Sequence, residues 1–200
     1  MTFKNFALLL SSADAPVVLL EGTRALPAED APKLTALAAR LARDFPTVRF
    51  RTGNAKGSDE AFAAGVASVD PARIEYVLPY SGHRQGQRSA QSPATGLDEI
   101  SPLFVEEAVA TTALVSPQYR HATDKYPTRT TSPRQRAIAQ MILRDTVKVT
   151  GTADLPPPIA GIFYVNAESP DDGGTGHTIR VCRAKGVPAV TQSHWMAWSW

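Results

Sequence analysis

Two rhythms of apolar residues alternate along this chain. Short runs rich in Val, Ile, Leu and Phe occur at Val17–Leu20, Val48–Arg51, Ile74–Leu78, Ile159–Val165 and Val187–Val190. Such runs predict strands covered on both faces, as in a parallel sheet flanked by helices. Between them the spacing becomes helical. Leu34, Leu37, Leu41 and Phe45 share one stripe of a helix expected over about Pro27–Asp44, which opens with a proline and the acidic Glu29 and Asp30. Glu60–Ala67 and Phe104–Val115 read as helices, and Pro117–Tyr126 as a broken continuation. Ser132-Pro133 starts a helix to about Asp145, with Ile138, Met141 and Ile142 inward. Val147–Val149 reads as a short strand, Pro156-Pro157-Pro158 as a stiff connector and Gly176–Lys185 as a helix.

Strand–helix alternation of this kind predicts an α/β fold: a Rossmann-like three-layer sandwich with a mostly parallel central sheet, as a single domain over residues 1–200. Two segments stand outside the rhythm. The N-terminal stretch carries an apolar run, Phe6–Leu10, shorter than the roughly 7–15 residues of a signal core, and reads as an extension into the first strand. Residues 80–102 are rich in Ser, Gly, Gln, Pro and Arg, a flexible loop of a length typical of lids and binding loops. The tail from His194 to Trp200 is aromatic and is expected to pack on a face of the domain or, in a homo-oligomer, on a second copy.

Composition narrows the classes. At 43% hydrophobic and 20% charged residues the chain builds a real core. A net charge of +2 does not by itself argue for nucleic acid, so any such role rests on local clusters of arginine. The single Cys182 excludes an intrachain disulfide and suits a small buried hydrophobe. No apolar run approaches the roughly 20 residues that cross a bilayer, so no membrane partner and a cytoplasmic location are expected. Histidines at 83, 121, 177 and 194 are scattered and Cys182 lacks a partner at ligand spacing, which leaves no metal site. A Gly-x-Ser-x-Gly elbow is absent, and no cofactor is implied.

In a parallel sheet, ligands sit outside the carboxyl ends of the strands. That rule points to turns at 21–24, 52–59 and 166–178. In Thr52–Asp59, Gly53 and Gly57 permit positive φ and close approach, Ser58 or Asp59 can cap the next helix, and Lys56 adds a charge. Amides at such a helix start attract anions, although the loop lacks the Gly-Lys-Ser/Thr of a Walker loop. Its structural alternative is a plain tight turn. Asp172-Gly173-Gly174-Thr175-Gly176-His177-Thr178 is richer still: its glycines bring amides toward a phosphate, while Thr175, His177 and Thr178 offer hydrogen bonds. Ile179 stands where a dinucleotide fingerprint needs its third glycine. Arg24, after Gly22-Thr23, can fork onto a phosphate. Arg134 and Arg136 sit at a helix start, where arginine is electrostatically unfavourable and hints at a nearby anion, and Arg129 lies just before them.

At these loops the sequence resembles the SLOG superfamily of Rossmann-like domains, which joins the DNA-processing Smf/DprA proteins, the LOG phosphoribohydrolases and several nucleotide-sensing domains. The resemblance rests on Gly22-Thr23-Arg24, on Thr52-Gly53-Asn54-Ala55-Lys56-Gly57-Ser58-Asp59 with Asn54 in place of a second glycine, and on Ser132–Ala139. Gly173–Thr178 is similar to the glycine loop of the LOG branch. The resemblance spans about residues 17–190 and implies a nucleotide, a nucleotide derivative or single-stranded DNA at this sheet edge. Where LOG hydrolases carry a catalytic glutamate, this chain has Ile179 and Arg180.

Three functions follow as alternatives. The first is binding or sensing of a nucleotide-like small molecule, with the 80–102 segment closing over it. The second is hydrolysis or transfer at an N-glycosidic bond, which needs a carboxylate near the anomeric carbon. Asp59, Asp172 and His177 are candidates for such a step, with Glu21 and Asp171 as further acids. The third is single-stranded DNA binding through Arg129, Arg134 and Arg136.

Overall fold

In the computed structural model, which describes residues 1–126 and 132–199, the chain opens with α1 (Phe3–Ser11), β1 (Val17–Gly22), α2 (Ala31–Asp44), β2 (Arg49–Thr52) and α3 (Ser58–Ala67). It continues through β3 (Ile74–Leu78), β4 (Ala94–Gly96), α4 (Pro102–Val115), α5 (Arg120–Thr123) and α6 (Pro133–Thr150). β5 (Ala160–Tyr164), α7 (Gly173–Ala184), β6 (Ala189–Thr191) and α8 (Gln192–Trp195) follow. The strands pair in the order β4-β3-β2-β1-β5-β6, and every pairing is parallel. The chain therefore builds outward from β1 to β4, then crosses back over the sheet to place β5 on the other side of β1. This is the α/β, Rossmann-like sandwich expected from the alternating rhythms. The reversal between β1 and β5 opens the crevice where such sheets receive ligands.

Period-2 alternation divides the strand side chains between the two faces. Val18, Leu20, Phe50, Ile74, Leu78 and Ile162 join Leu34, Leu41 and Phe62 in the layer that includes α2 and α3. On the other face, Val77 packs with Val105, Ala108, Leu143 and Val147 of α4 and α6, and Leu19 and Phe163 pack with Val149, Ile179 and Cys182. β1, β3 and β5 are buried at every position, which explains their largely apolar spelling. No helix among the described residues is long and apolar enough to cross a membrane.

Several local expectations change. The N-terminal extension is α1, whose N-cap Thr2 accepts from the Asn5 amide at 3.3 Å and whose Phe6 and Leu10 are buried. Phe6 lies 4.9 Å, centre to centre, from Trp198, so the aromatic tail packs on this chain's own core. Trp195 is also buried there and donates from Nε1 to the Phe163 carbonyl at 2.9 Å. Trp200 and Arg129 lie outside the described residues. α2 starts at Ala31, because Pro27–Asp30 is spent on a turn closed by the Asp30 amide on the Pro27 carbonyl.

The strand expected at Val147–Val149 is instead the last turn of α6, closed at Gly151 (φ 74°), whose amide donates to the Val147 carbonyl. Its Val-Lys-Val spelling mimics an alternating strand, yet all three residues are buried, because this end of α6 is enclosed on every side. Ile138 and Met141 stay exposed, and Ala139, Ile142, Leu143 and Val147 form the inward stripe. Within 80–102, read as a loop, Ala94–Gly96 adds the edge strand β4 beside β3.

Candidate functional site

The three turns singled out in the sequence meet at the switch point. Gly22 at the end of β1 is in register with Tyr164 at the end of β5, and the Thr23 amide donates to the Tyr164 carbonyl at 2.8 Å. The Thr23 carbonyl accepts from both the amide (3.1 Å) and the hydroxyl (2.9 Å) of Ser58. Gly22 has no room for a Cβ between Tyr164 and Ser58, and at Gly57, φ 79°, a Cβ would stand 2.8 and 2.6 Å from the Thr23 and Arg24 carbonyl oxygens. Gly22, Thr23, Gly57 and Ser58 thus knit the backbone together. Arg24 and Lys56 stand exposed on the rim.

In Thr52–Asp59, three amides are taken up by nearby carboxylates of the chain. Asp59 Oδ2 accepts from the amides of Gly53 (3.1 Å) and Ala55 (3.2 Å), and Glu60 Oε2 accepts from Gly57 (3.3 Å). A carboxylate of the chain occupies the place that an anionic ligand would take. Asn54, at φ 56°, is buried beneath residues 83 and 84, donating from Nδ2 to both their carbonyls.

The loop before α7 is different. Asp172 is the N-cap but its side chain caps nothing. The amide of Gly176 bonds to the Asp172 carbonyl at 3.1 Å, whereas those of Gly173, Gly174 and Thr175 have no acceptor among the described residues. Free amides of a helix first turn, reinforced by the helix dipole, form an anion-binding arrangement. Gly174 is required here: a Cβ would stand 2.8 Å from Asp145 Oδ2.

Beneath both loops lies a set of buried charges, most of which the sequence reading did not single out. Lys148 bridges Glu21 (2.6 Å) and Asp145 (2.8 Å), and Arg144 Nε pairs with Asp145 at 2.9 Å. Arg144 Nη1 also donates to the Gly53 carbonyl, while Thr178 Oγ1 donates to Glu21 at 2.9 Å. Glu21 therefore ties α7 to the first strand, and Arg144 ties α6 to the first loop. Arg144 Nη2 has no bond to any described residue.

Glu21 shares the Lys148 ammonium with Asp145, which also has the Arg144 guanidinium. Desolvation pushes Glu21 up to about 8, against the pull of Lys148. For Asp145, burial also acts upward, but Arg144 and Lys148 outweigh it and hold the carboxyl below its ordinary range. Burial works against the charge on Lys148 as well, yet Asp145 and Glu21 keep the ammonium charged. Asp145 carries the negative charge and Glu21 keeps a proton near neutrality.

The remaining expected site residues are dispersed. His177 turns inward, fully buried, with Nδ1 2.8 Å from Ser116 Oγ and Nε2 2.9 Å from Thr146 Oγ1. Desolvation lowers its pKa to about 4, so the ring is neutral. Asp172 and Asp171 are exposed. Arg134 is exposed and Arg136 half-buried at the start of α6, about 12–15 Å along the helix from Arg144 by its rise per residue. The cations at the junction are Arg144 and Lys148. The signal for them was Gly151, a helix-ending glycine that extends α6 past them.

No family model and no curated protein matches the sequence. Among solved structures, the chain is similar to DNA processing protein A from Helicobacter pylori, described for its single-stranded DNA binding mode, at 12% identity and a TM-score of 0.49. The alignment covers 92% of this chain and 67% of that one. The fold assignment rests on the strand order itself.

Proposed function

We propose that this protein binds a nucleotide or nucleotide-derived, phosphate-bearing ligand at the C-terminal edge of the sheet, between the ends of β1 and β5. The observation that carries this reading is the unfilled start of α7. Three unpaired amides, Gly173 to Thr175, open beside the Asp145-paired guanidinium of Arg144, whose Nη2 remains uncommitted. Helix-start amides and a planar guanidinium recognise phosphate oxygens by complementary geometry. Arg24 and Lys56 add positive charge at the rim. The same reading makes the chain a distant member of the SLOG superfamily, on the loop motifs that resemble it.

Catalysis is not part of the proposal. Asp59 is engaged by two loop amides, Glu21 by Lys148 and Thr178, and His177 by Ser116 and Thr146. Single-stranded DNA is a second reading, favoured by Arg120, Arg134 and Arg136, which have no ion pair among the described residues.

Thermal-shift and calorimetric titrations with inorganic phosphate, AMP, ADP-ribose and cyclic nucleotides test the first reading, and a fluorescent oligo-dT titrated against salt tests the second. A mononucleotide is expected to stabilise the protein. Arg144→Lys, which keeps the charge but loses the fork, should weaken that binding at least tenfold, about 1.4 kcal/mol. No response to any mononucleotide overturns the first reading. Tight oligo-dT binding with a steep salt dependence would replace it with the second.

A further inference from the structure

Between β3 and β4 lies a ten-residue stretch, 82–91, with no apolar anchor: Gly-His-Arg-Gln-Gly-Gln-Arg-Ser-Ala-Gln. None of its residues is buried, and Cβ atoms added at Gly82 or Gly86 would meet nothing. Its ends are tied down. Ser81 donates its amide (2.9 Å) and hydroxyl (3.0 Å) to Asp98, and Ser92 donates its hydroxyl to the Pro71 carbonyl at 2.7 Å.

Between those ties, every hydrogen bond from 82–91 to a described residue outside 80–92 goes to Asn54 or Glu60. Arg84 donates from Nη1 to the Asn54 carbonyl (2.9 Å) and from Nη2 to Glu60. Asn54 reciprocates with bonds to the carbonyls of His83 (3.2 Å) and Arg84 (3.3 Å). Asn54 (φ 56°) and Arg84 (φ 45°) are also the non-glycine residues held at positive φ among those described. Such conformations persist only where surrounding contacts enforce them. Here the two strained residues enforce each other.

We propose that residues 82–91 form a lid latched onto the Gly53–Gly57 loop by Arg84, and that it opens as one unit between its ties at Ser81 and Ser92. A segment held by a few polar contacts and with no fully buried residue belongs to the low-stability end of a fold. Opening uncovers Asn54 and the loop behind it. The latch is a property of the free protein; its use as a gate for a phosphate-bearing ligand rests on the function proposed above.

Amide hydrogen exchange of the free protein, read by mass spectrometry on peptides covering 82–91, tests the latch. Arg84→Ala is expected to speed exchange there at least tenfold, with β3 and α3 unchanged. Glu60→Gln should produce a smaller rise. Arg88→Ala should produce none, because Arg88 bonds only to Ser81 at the lid's own edge. Unchanged exchange in Arg84→Ala, an equal rise in β3 and α3, or an equal effect of Arg88→Ala each overturns the proposal. Stopped-flow mixing with AMP addresses the gate separately: faster association in Arg84→Ala supports gating, an unchanged rate removes it. Failure of AMP to bind either protein counts against the function and leaves the exchange result standing.

Discussion

The loops before α3 and α7 look alike in sequence, each rich in glycine with a nearby threonine and aspartate, yet they account for their backbone amides in opposite ways. Before α3, Asp59 and Glu60 fold back onto the loop amides of Gly53, Ala55 and Gly57. Before α7, the Asp172 side chain makes no capping bond and the amides of Gly173, Gly174 and Thr175 stay unpaired among the described residues. The first loop is therefore a braced wall, and the second leaves its first-turn amides without an acceptor. The position of one carboxylate relative to the glycines decides which is which.

The contrast can be broken most forcefully from below. Lys148→Met removes the ammonium shared by Glu21, which holds Thr178 of the α7 loop, and Asp145, which stands beside Gly174. Taking its ammonium from the buried Asp145 carboxylate is expected to cost about 3–5 kcal/mol in urea unfolding, and a loss under about 1 kcal/mol would mean that the floor does not join the two loops. Asp59→Ala should cost about 2–3 kcal/mol by losing two charge-assisted bonds. Asp59→Asn, which retains one acceptor, should cost less.

Acidity probes the same floor. Glu21 has an ordinary value of 4.5 and a folded value of about 8, so the folded state holds a proton that the unfolded chain has released. Its stabilisation is complete below 4.5 and is lost as pH rises to 8. His177, lowered from 6.5 to about 4, acts oppositely: its contribution is intact above 6.5 and is lost on acidification toward 4. Stability should therefore rise by up to about 2 kcal/mol from pH 8 to 6.5, at no more than one proton's slope, and then level off where the two groups cancel. Glu21→Gln should be flat above 6.5 and weaken below it; a wild-type profile flat from 6.5 to 8 refutes the assignment. The smallest effect belongs to Asp172→Ala, which should stay within about 0.5 kcal/mol because that side chain caps nothing. A cost comparable to that of Asp59→Ala would erase the contrast between the loops.

Every strand but β4, and both glycine loops, were legible because their signals are local: short runs rich in Val, Ile, Leu and Phe, and glycines between a strand and a helix. The charged floor was not. Arg144, Asp145 and Lys148 are spelled like the solvated end of a helix, and only the crossing of α6 over the sheet buries them. Arg134 and Arg136 were conspicuous for the opposite reason, since an unfavourable charge at a helix start attracts attention even where water solvates it. His177 belonged to the right loop, but the helical turn starting at Gly173 rotates its ring into the interior. Sequence spacing marks where a loop lies; it does not say which of its side chains faces out.

The meeting of α1 with the aromatic tail has a practical consequence. Trp198 Nε1 donates to the Met1 carbonyl at 3.0 Å, so the first and last described turns touch. A short linker between them would close the chain into a ring, and reopening that ring at Gly86 would place new ends in the exposed 82–91 segment. The permuted chain would keep its sheet order while releasing the segment that bridges β3 and β4 into two free arms.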